Sequence, residues 1–343
     1  MDKSDTDLKP WRDLTDPRRA SVVDDLEAGL KEPVFENIEI PEELGPVTIT
    51  VDDHKIKRFC FTQDSYADWY LSGSPLQGRI VGPPCMLAND LLQLFTLKYK
   101  ASKTVGFHTE EQIWFDNPVY LDERVTLSGD YTDAYQQRGQ GYVVMEATAV
   151  GEDGRSIMRH RGVEIMRAAP GDGVERGRGK PAKRVTGELP DQAPQSAVMS
   201  EEVQPGTALA PSEKVITAEQ AAVFSRVGEY VRNIHSDIHV ARKNGLRVPL
   251  VQGQQQVGLV GEYMAAFFGL DWLFGGWFKL KFINPLSVFE PVQLGGLVTE
   301  VTQTSEGKKQ VELEVWVRRL SDQKLTTVGW AACKVGQMQS TSA

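Results

Sequence analysis

Residues 224–253, FSRVGEYVRNIHSDIHVARKNGLRVPLVQG, gather the side chains best suited to chemistry. Two of the chain's five histidines, His235 and His239, stand there with Asp237 between them. Five cations surround them: Arg226, Arg232, Arg242, Lys243 and Arg247. Histidine titrates at about 6.5 when unperturbed, so His235 is a candidate general acid/base. Asp237 either orients such a ring or caps the helix that follows, Asp being a favoured N-cap residue. His239 has metal-ligand spacing from His235, but only Asp237 is near as a third ligand. It reads as solvent-facing or cap-adjacent, and no metal is expected. Gln252 and Gly253 open an apolar, helix-like segment. A glycine there lets a ligand approach the backbone, and free helix N–H groups stabilise charge developing on a carbonyl oxygen. Together these parts suit polarising a carbonyl and moving a proton beside an anionic substrate.

The elements that must position these residues recur along the chain. Residues 46–168 read as a lead strand (47–50), a helical stretch (52–70) and a helix over 85–100 opened by Pro84. Four strand-like segments follow at 112–115, 123–132, 141–150 and 156–166, the last three alternating apolar and polar residues as half-buried antiparallel strands do. Residues 212–336 repeat this at a constant offset of 167. Gly78 answers Gly245, and Phe115-Asp116-Asn117-Pro118 answers Phe282-Ile283-Asn284-Pro285. From Phe115 to Thr132, eight of eighteen positions are identical at that offset. Two copies indicate a duplicated domain rather than a solenoid, which needs three or more repeats. The second long helix spans 250–268, with Val257, Val260, Met264 and Phe268 as its buried stripe. Residues 1–45 are a polar lead-in, 169–211 a Pro/Gly-rich, charged linker, and 337–343 a tail. A helix followed by a run of strands argues for α+β, a curved antiparallel sheet wrapped around each long helix.

The bulk numbers bound the function. The 343 residues allow two ordinary domains. A net charge of −9 argues against broad nucleic-acid or membrane-surface binding. Cys60, Cys85 and Cys333 are far apart and odd in number, so neither a zinc knuckle nor a disulfide framework is expected. The polar N-terminus has no apolar signal region, and no run approaches ~18 apolar residues. A cytoplasmic setting fits.

Four segments resemble the MaoC-like (R)-specific enoyl-CoA hydratase/dehydratase family. His235-Ser236-Asp237-Ile238-His239-Val240-Ala241 is similar to its H-x-D-x-x-x-A segment. Residues 245–253, GLRVPLVQG, are similar to its G-[FL]-x-x-P-[IL]-x-x-G segment, Phe282-Ile283-Asn284-Pro285-Leu286 to its F-x-x-P-V strand opening, and Phe224-Ser225 with Gly228 to the lead into its catalytic segment. The resemblance covers residues 46–336 apart from the linker. It implies a double hotdog fold and a hydro-lyase acting on an enoyl or 3-hydroxyacyl thioester carried by coenzyme A, which is part of the substrate rather than a cofactor. One departure stands out. The family's G-D-x-N-P-[IL]-H is answered by Glu229-Tyr230-Val231-Arg232-Asn233-Ile234-His235, so Tyr230 occupies the Asp position. Glu229 and Tyr230 are the candidates for that role, beside His235 and Asp237. Arg232 can bind a substrate carboxylate bidentately, and Arg247 is a candidate for the coenzyme A phosphates. In the first unit Asp68 answers His235 and Tyr70 answers Asp237, so this half reads as substrate-binding. The large aromatics Trp69, Tyr70, Trp114, Trp272, Phe274 and Trp277 suit an acyl tunnel or, more commonly, core and interface packing. A small-molecule acyl thioester and a second copy of the chain are the expected partners. Rival readings are a hotdog thioesterase, a dehydratase of a non-CoA molecule and a non-catalytic acyl-binding module.

Overall fold

A computed structural model describes residues 27–104, 106–166, 184–225, 233–304 and 307–336. The first unit opens with β1 (Glu42–Thr50), which begins five residues before the expected lead strand. β1 is an edge strand, where Pro46 removes no ladder bond from a neighbour on its outer side. Helix α1 (Asp53–Gln63) is capped by Asp52, which accepts from the Lys55 N–H at 2.7 Å. Asp64 turns left-handed at φ +48° and ends it, so the expected helix over 52–70 divides into α1 and a short α2 (Asp68–Leu71). Helix α3 (Met86–Leu92) tightens into a 3-10 segment, Gln93–Leu97. That tighter turn places buried Leu94 and Phe95 against the sheet, so this helix is shorter than expected. Strands β2 (Phe107–Phe115), β3 (Arg124–Gln137), β4 (Gln140–Gly151) and β5 (Ser156–Met166) complete the unit.

Residues 184–211 contribute β6 (Gln195–Ser196) and β7 (Ala208–Leu209), two short strands at the far edge of the sheet. The second unit then follows the first: β8 (Ser212–Lys214), α4 (Ala218–Phe224), α5 (Ile238–Lys243), α6 (Gly253–Phe268), α7 (Asp271–Gly275), β9 (Trp277–Phe282), β10 (Val292–Gln303), β11 (Lys309–Arg319) and β12 (Leu325–Val335). The strand order is β1-β3-β4-β5-β2-β9-β12-β11-β10-β7-β6, with β8 beside β10. The halves β1-β3-β4-β5-β2 and β8-β10-β11-β12-β9 share one topology and meet where β2 pairs antiparallel with β9.

The repeat is legible in hydrogen bonds as well as in sequence. The Asn117 side chain donates to the Ser156 carbonyl at 2.8 Å, and Asn284 does the same to Leu325 at 2.7 Å. Asp122 and Phe289, one offset apart, both adopt φ +63°, and their N–H groups donate to Val51 and Ile216 at 2.8 Å. Gly78 and Gly245 likewise share positive φ, +73° and +80°, as a left-handed turn requires.

Helix α6 is the axis of the core. Val257, Leu259, Val260, Met264, Phe267 and Phe268 are all buried, and the helix touches β2, β11, β12, α1 and α3. Such all-round burial is what an apolar helix enclosed by a sheet requires. The architecture is a double hotdog. Among the described residues no helix is long and apolar enough to cross a membrane.

Candidate active site

His235 lies in a knot just before α5. The Asn233 side-chain oxygen accepts from the N–H groups of His235 (2.9 Å) and Ser236 (3.0 Å) and from the Ser236 hydroxyl (3.1 Å). Asp237 caps α5, its Oδ1 accepting from the His239 and Val240 N–H groups at 2.8 and 3.0 Å. The Leu250 N–H donates to the Ile234 carbonyl at 3.1 Å. In return, the Leu250 carbonyl lies 2.9 Å from His235 Nδ1. A carbonyl only accepts, so Nδ1 carries the proton and the neutral ring presents Nε2 as a base. Burial holds the His235 pKa below its usual value, the Leu250 contact opposing it. No described residue engages Nε2. Residues 249–251 are pinned in turn, because Val251 donates to Leu286 at 2.8 Å and Val288 to Pro249 at 3.0 Å.

Two residues beyond Leu250, Gln252 is the N-cap of α6 and supplies no side-chain cap. Its carbonyl accepts from Gln255 and Gln256, both at 3.1 Å. The N–H groups of Gly253 and Gln254 meet no protein acceptor among the described residues, as the first turn of a helix leaves them. The Gln254 side chain is only 3% exposed, and neither its amide oxygen nor its nitrogen has a partner among the described residues. A buried amide without partners costs on the order of 1–3 kcal/mol, and a polar ligand would satisfy it.

The face opposite this helix start comes from the other half of the chain. A Cβ built on Gly253 would lie 3.2 Å from the His108 Cβ and 3.5 Å from His108 Nδ1. His108 is on β2, where a bulge between His108 and Glu110 turns its ring inward beside Phe282, the centroids 4.9 Å apart. The Glu111 carboxylate stands between two rings, 2.8 Å from His108 Nε2 and 2.8 Å from His160 Nε2. His108 Nε2 also lies 3.1 Å from the Glu110 carbonyl. Glycine at position 162, paired with Glu111, leaves room: a Cβ there would lie 3.1 Å from His160 and 3.3 Å from Glu111. Burial pushes the Glu111 carboxyl up, but His160 and His108 outweigh it and hold it below its usual range. Burial lowers His108, yet the contact with Glu111 and the charge of Glu164 prevail and raise it. His108 Nδ1 is buried without a hydrogen-bond partner among the described residues.

The structure thus brings His235, Gln252 and Gly253 together at one end of α6, with the Asp237 carboxylate turned to capping. Arg247 is exposed beyond the Gly245 turn, near Arg242 and Lys243 at the end of α5. Glu229, Tyr230, Arg232 and Arg226 lie outside the described residues. Sequence reasoning missed His108, Glu111, His160 and Gln254. One signal was present: extending the period-two alternation of Ile113 and Phe115 backwards puts Glu111, a charged residue, on the core face. Of the aromatics, Trp272 is buried and stacks on Phe268, while Trp114 pairs with Trp277 across the seam.

No family model and no curated protein matches the chain at the level of sequence. Solved structures do match. A MaoC-like dehydratase superposes with TM-score 0.63 at 13% identity, covering 90% of this chain and 99% of that one. A MaoC-like dehydratase from Phytophthora capsici gives 0.61 at 14%, over 90% and 99%. A conserved hypothetical protein from Mycobacterium tuberculosis, described as having a double hotdog fold, gives 0.63 at 12%, over 89% and 98%. These likenesses extend over both repeats, and the chain has the double hotdog fold.

Proposed function

We propose that the protein is a hydro-lyase adding water to, or removing it from, the double bond of an acyl thioester carried by coenzyme A. The observation that carries this reading is the convergence on the start of α6. A neutral histidine, a second histidine backed by a buried carboxylate, and two free N–H groups all meet residues 250–254. In the hydration direction, His235 Nε2 takes a proton from water as its oxygen adds to the β-carbon. The displaced π electrons move to the thioester oxygen, where the N–H groups of Gly253 and Gln254 hold the enolate charge. The α-carbon then takes a proton from His108, whose charge Glu111 sustains. Dehydration reverses each transfer. Two histidines whose surroundings push their pKa values apart are suited to opposite roles, the lowered one as base and the raised one as acid. Arg242, Lys243 and Arg247, exposed beside the site, suit the coenzyme A phosphates.

The test is turnover of a panel of enoyl- and 3-hydroxyacyl-CoA esters by wild type, His235→Ala and His108→Gln. Each variant is expected to lose about a hundredfold or more in kcat while keeping its fold. Wild-type turnover untouched by His235→Ala would sink the mechanism. A wild type inactive on every thioester would sink the reading itself.

A further inference from the structure

A duplicated fold has two positions equivalent to one site, and the described residues hold a cavity beside the second, although Asp68 and Met86, which answer His235 and Gly253, do not line it. Residues 65–70 of the first unit answer 232–237 of the second at the 167-residue offset. Ser65, Trp69 and Tyr70 line a half-open cavity of about 570 Å³ whose other walls are Met199, the C-terminal half of α6, Asp271 and Val335. That volume suits a small molecule. The chemistry proposed for the first site is missing. Met86 stands where the second unit has Gly253, and its side chain is buried at the start of α3.

What the cavity has instead is Glu262, the one charged residue of α6, about 13 Å along the helix from Gly253. Its Oε2 accepts from the Ser65 hydroxyl at 2.7 Å and from the Tyr70 hydroxyl at 3.1 Å. Its Oε1 is buried and has no hydrogen-bond partner among the described residues. Among the described residues no Lys, Arg or His lines the cavity, whereas Glu262 and Asp271 do, together with the rings of Trp69, Tyr70, Phe267 and Phe268. Lys214, whose charge reaches Glu262, lies outside the lining and is held by the Gln63 and Asp64 carbonyls, so coenzyme A phosphates would find no cation in the wall among the described residues. A carboxylate held by two hydroxyls among aromatic rings is the arrangement that receives an alkylammonium group.

We propose that this cavity is a second ligand site, distinct from the thioester site, that binds a small apolar primary amine through its ammonium group on the Glu262 carboxylate. Ser65 and Tyr70 orient the carboxylate, and the aromatic wall takes the apolar body. Burial pushes the Glu262 carboxyl up to about 7, with Ser65, Tyr70 and Lys214 opposing it. The titratable groups around it are Tyr70, Cys60 and Cys85, all themselves raised by burial, and Lys214, which donates to the Gln63 and Asp64 carbonyls. Ammonium binding therefore selects the ionised carboxylate and displaces a proton.

The experiment is calorimetric titration of the full chain with 2-phenylethylamine, 2-phenylethanol and 3-phenylpropionate at pH 6, 7 and 8. The amine is expected to bind at least tenfold more tightly than the alcohol at pH 8, and the carboxylate not at all. Amine affinity should weaken up to tenfold per pH unit below about 7. Glu262→Gln keeps an acceptor for Ser65 and Tyr70 and should abolish both the preference and the pH dependence; Ser65→Ala should retain them. The proposal is overturned if the amine shows no saturable binding to wild type at pH 8, or if alcohol and amine bind equally. Unchanged amine affinity in Glu262→Gln overturns it too. Should that variant fail to fold, the wild-type pH dependence decides alone.

Discussion

At the scale of single residues the proposed chemistry rests on which histidine is neutral. His235 sits below its usual pKa because burial disfavours its charge, and His108 above because Glu111 favours it. The profile of kcat/KM against pH should then be bell-shaped with both limbs displaced outward, the acid limb below 6.5 and the basic limb above it. In His108→Gln the basic limb should vanish from what activity remains; a basic limb that persists would remove His108 from the acid role. Asp237 is separable in the same way. Asn caps a helix as well as Asp, so Asp237→Asn should keep stability within a few tenths of a kcal/mol, while Asp237→Ala costs about 1 kcal/mol. Turnover in Asp237→Asn should stay within a few-fold of wild type. A hundredfold loss with the cap intact would return that carboxylate to the chemistry. That His235 and Gly253 lie close to the start of α6 was readable because a local motif and a helix start announce themselves in adjacent residues. The His108 partnership was not, since its members come from β2, β5 and α6 and only the folded sheet brings them together.

At the scale of elements, α6 was foreseeable and β2 was not. The stripe Val257, Val260, Met264 and Phe268 follows helical spacing and is buried as that spacing requires. The first half of β2, Phe107-His108-Thr109-Glu110-Glu111, carries no apolar alternation. It becomes a strand because β5 pairs along it and β9 joins on the other side from Glu110, a tertiary cause invisible in a short window. The same tertiary dependence fixes the glycines of α6. In an isolated helix Gly261→Ala would gain about 1 kcal/mol. Here a Cβ would lie 2.2 Å from the Cys85 sulfur, because α6 and the start of α3 pack that closely. Overpacking of this kind costs about 1–3 kcal/mol, so Gly261→Ala should lower the urea midpoint with an unchanged m-value. Introduced into Cys85→Ala, where only the residue 85 Cβ remains, 3.5 Å away, it should be neutral or stabilising. Equal destabilisation in both backgrounds would mean that the sulfur is not what limits the approach.

At the scale of the whole molecule the two units are joined by a seam with a buried charge cluster beside it. Glu111 and His160 are essentially inaccessible; Glu111 and His108 lie on β2, which pairs with β9 of the other half, and His160 on the neighbouring β5. Desolvating three titratable groups is unfavourable unless they compensate one another, and removing one member of such a set is worse than never having it. Glu111→Gln should therefore cost about 3–5 kcal/mol, and the pH dependence of that cost is set by the two shifts. The Glu111 carboxyl is lowered on folding, so its contribution is fully present above its unfolded value of about 4.5 and is lost as pH falls through the folded one. The His108 ring is raised, so its contribution is fully present below about 6.5 and is lost as pH rises through its folded value. The stability difference between wild type and Glu111→Gln should form a plateau spanning pH 4.5 to 6.5 and shrink on both sides. Urea unfolding of both proteins from pH 4 to 9 measures it. A difference that keeps growing above pH 7 would show that His108 is neutral in the folded protein, and with that the raised acid on which both the seam and the proposed proton transfer depend would be gone.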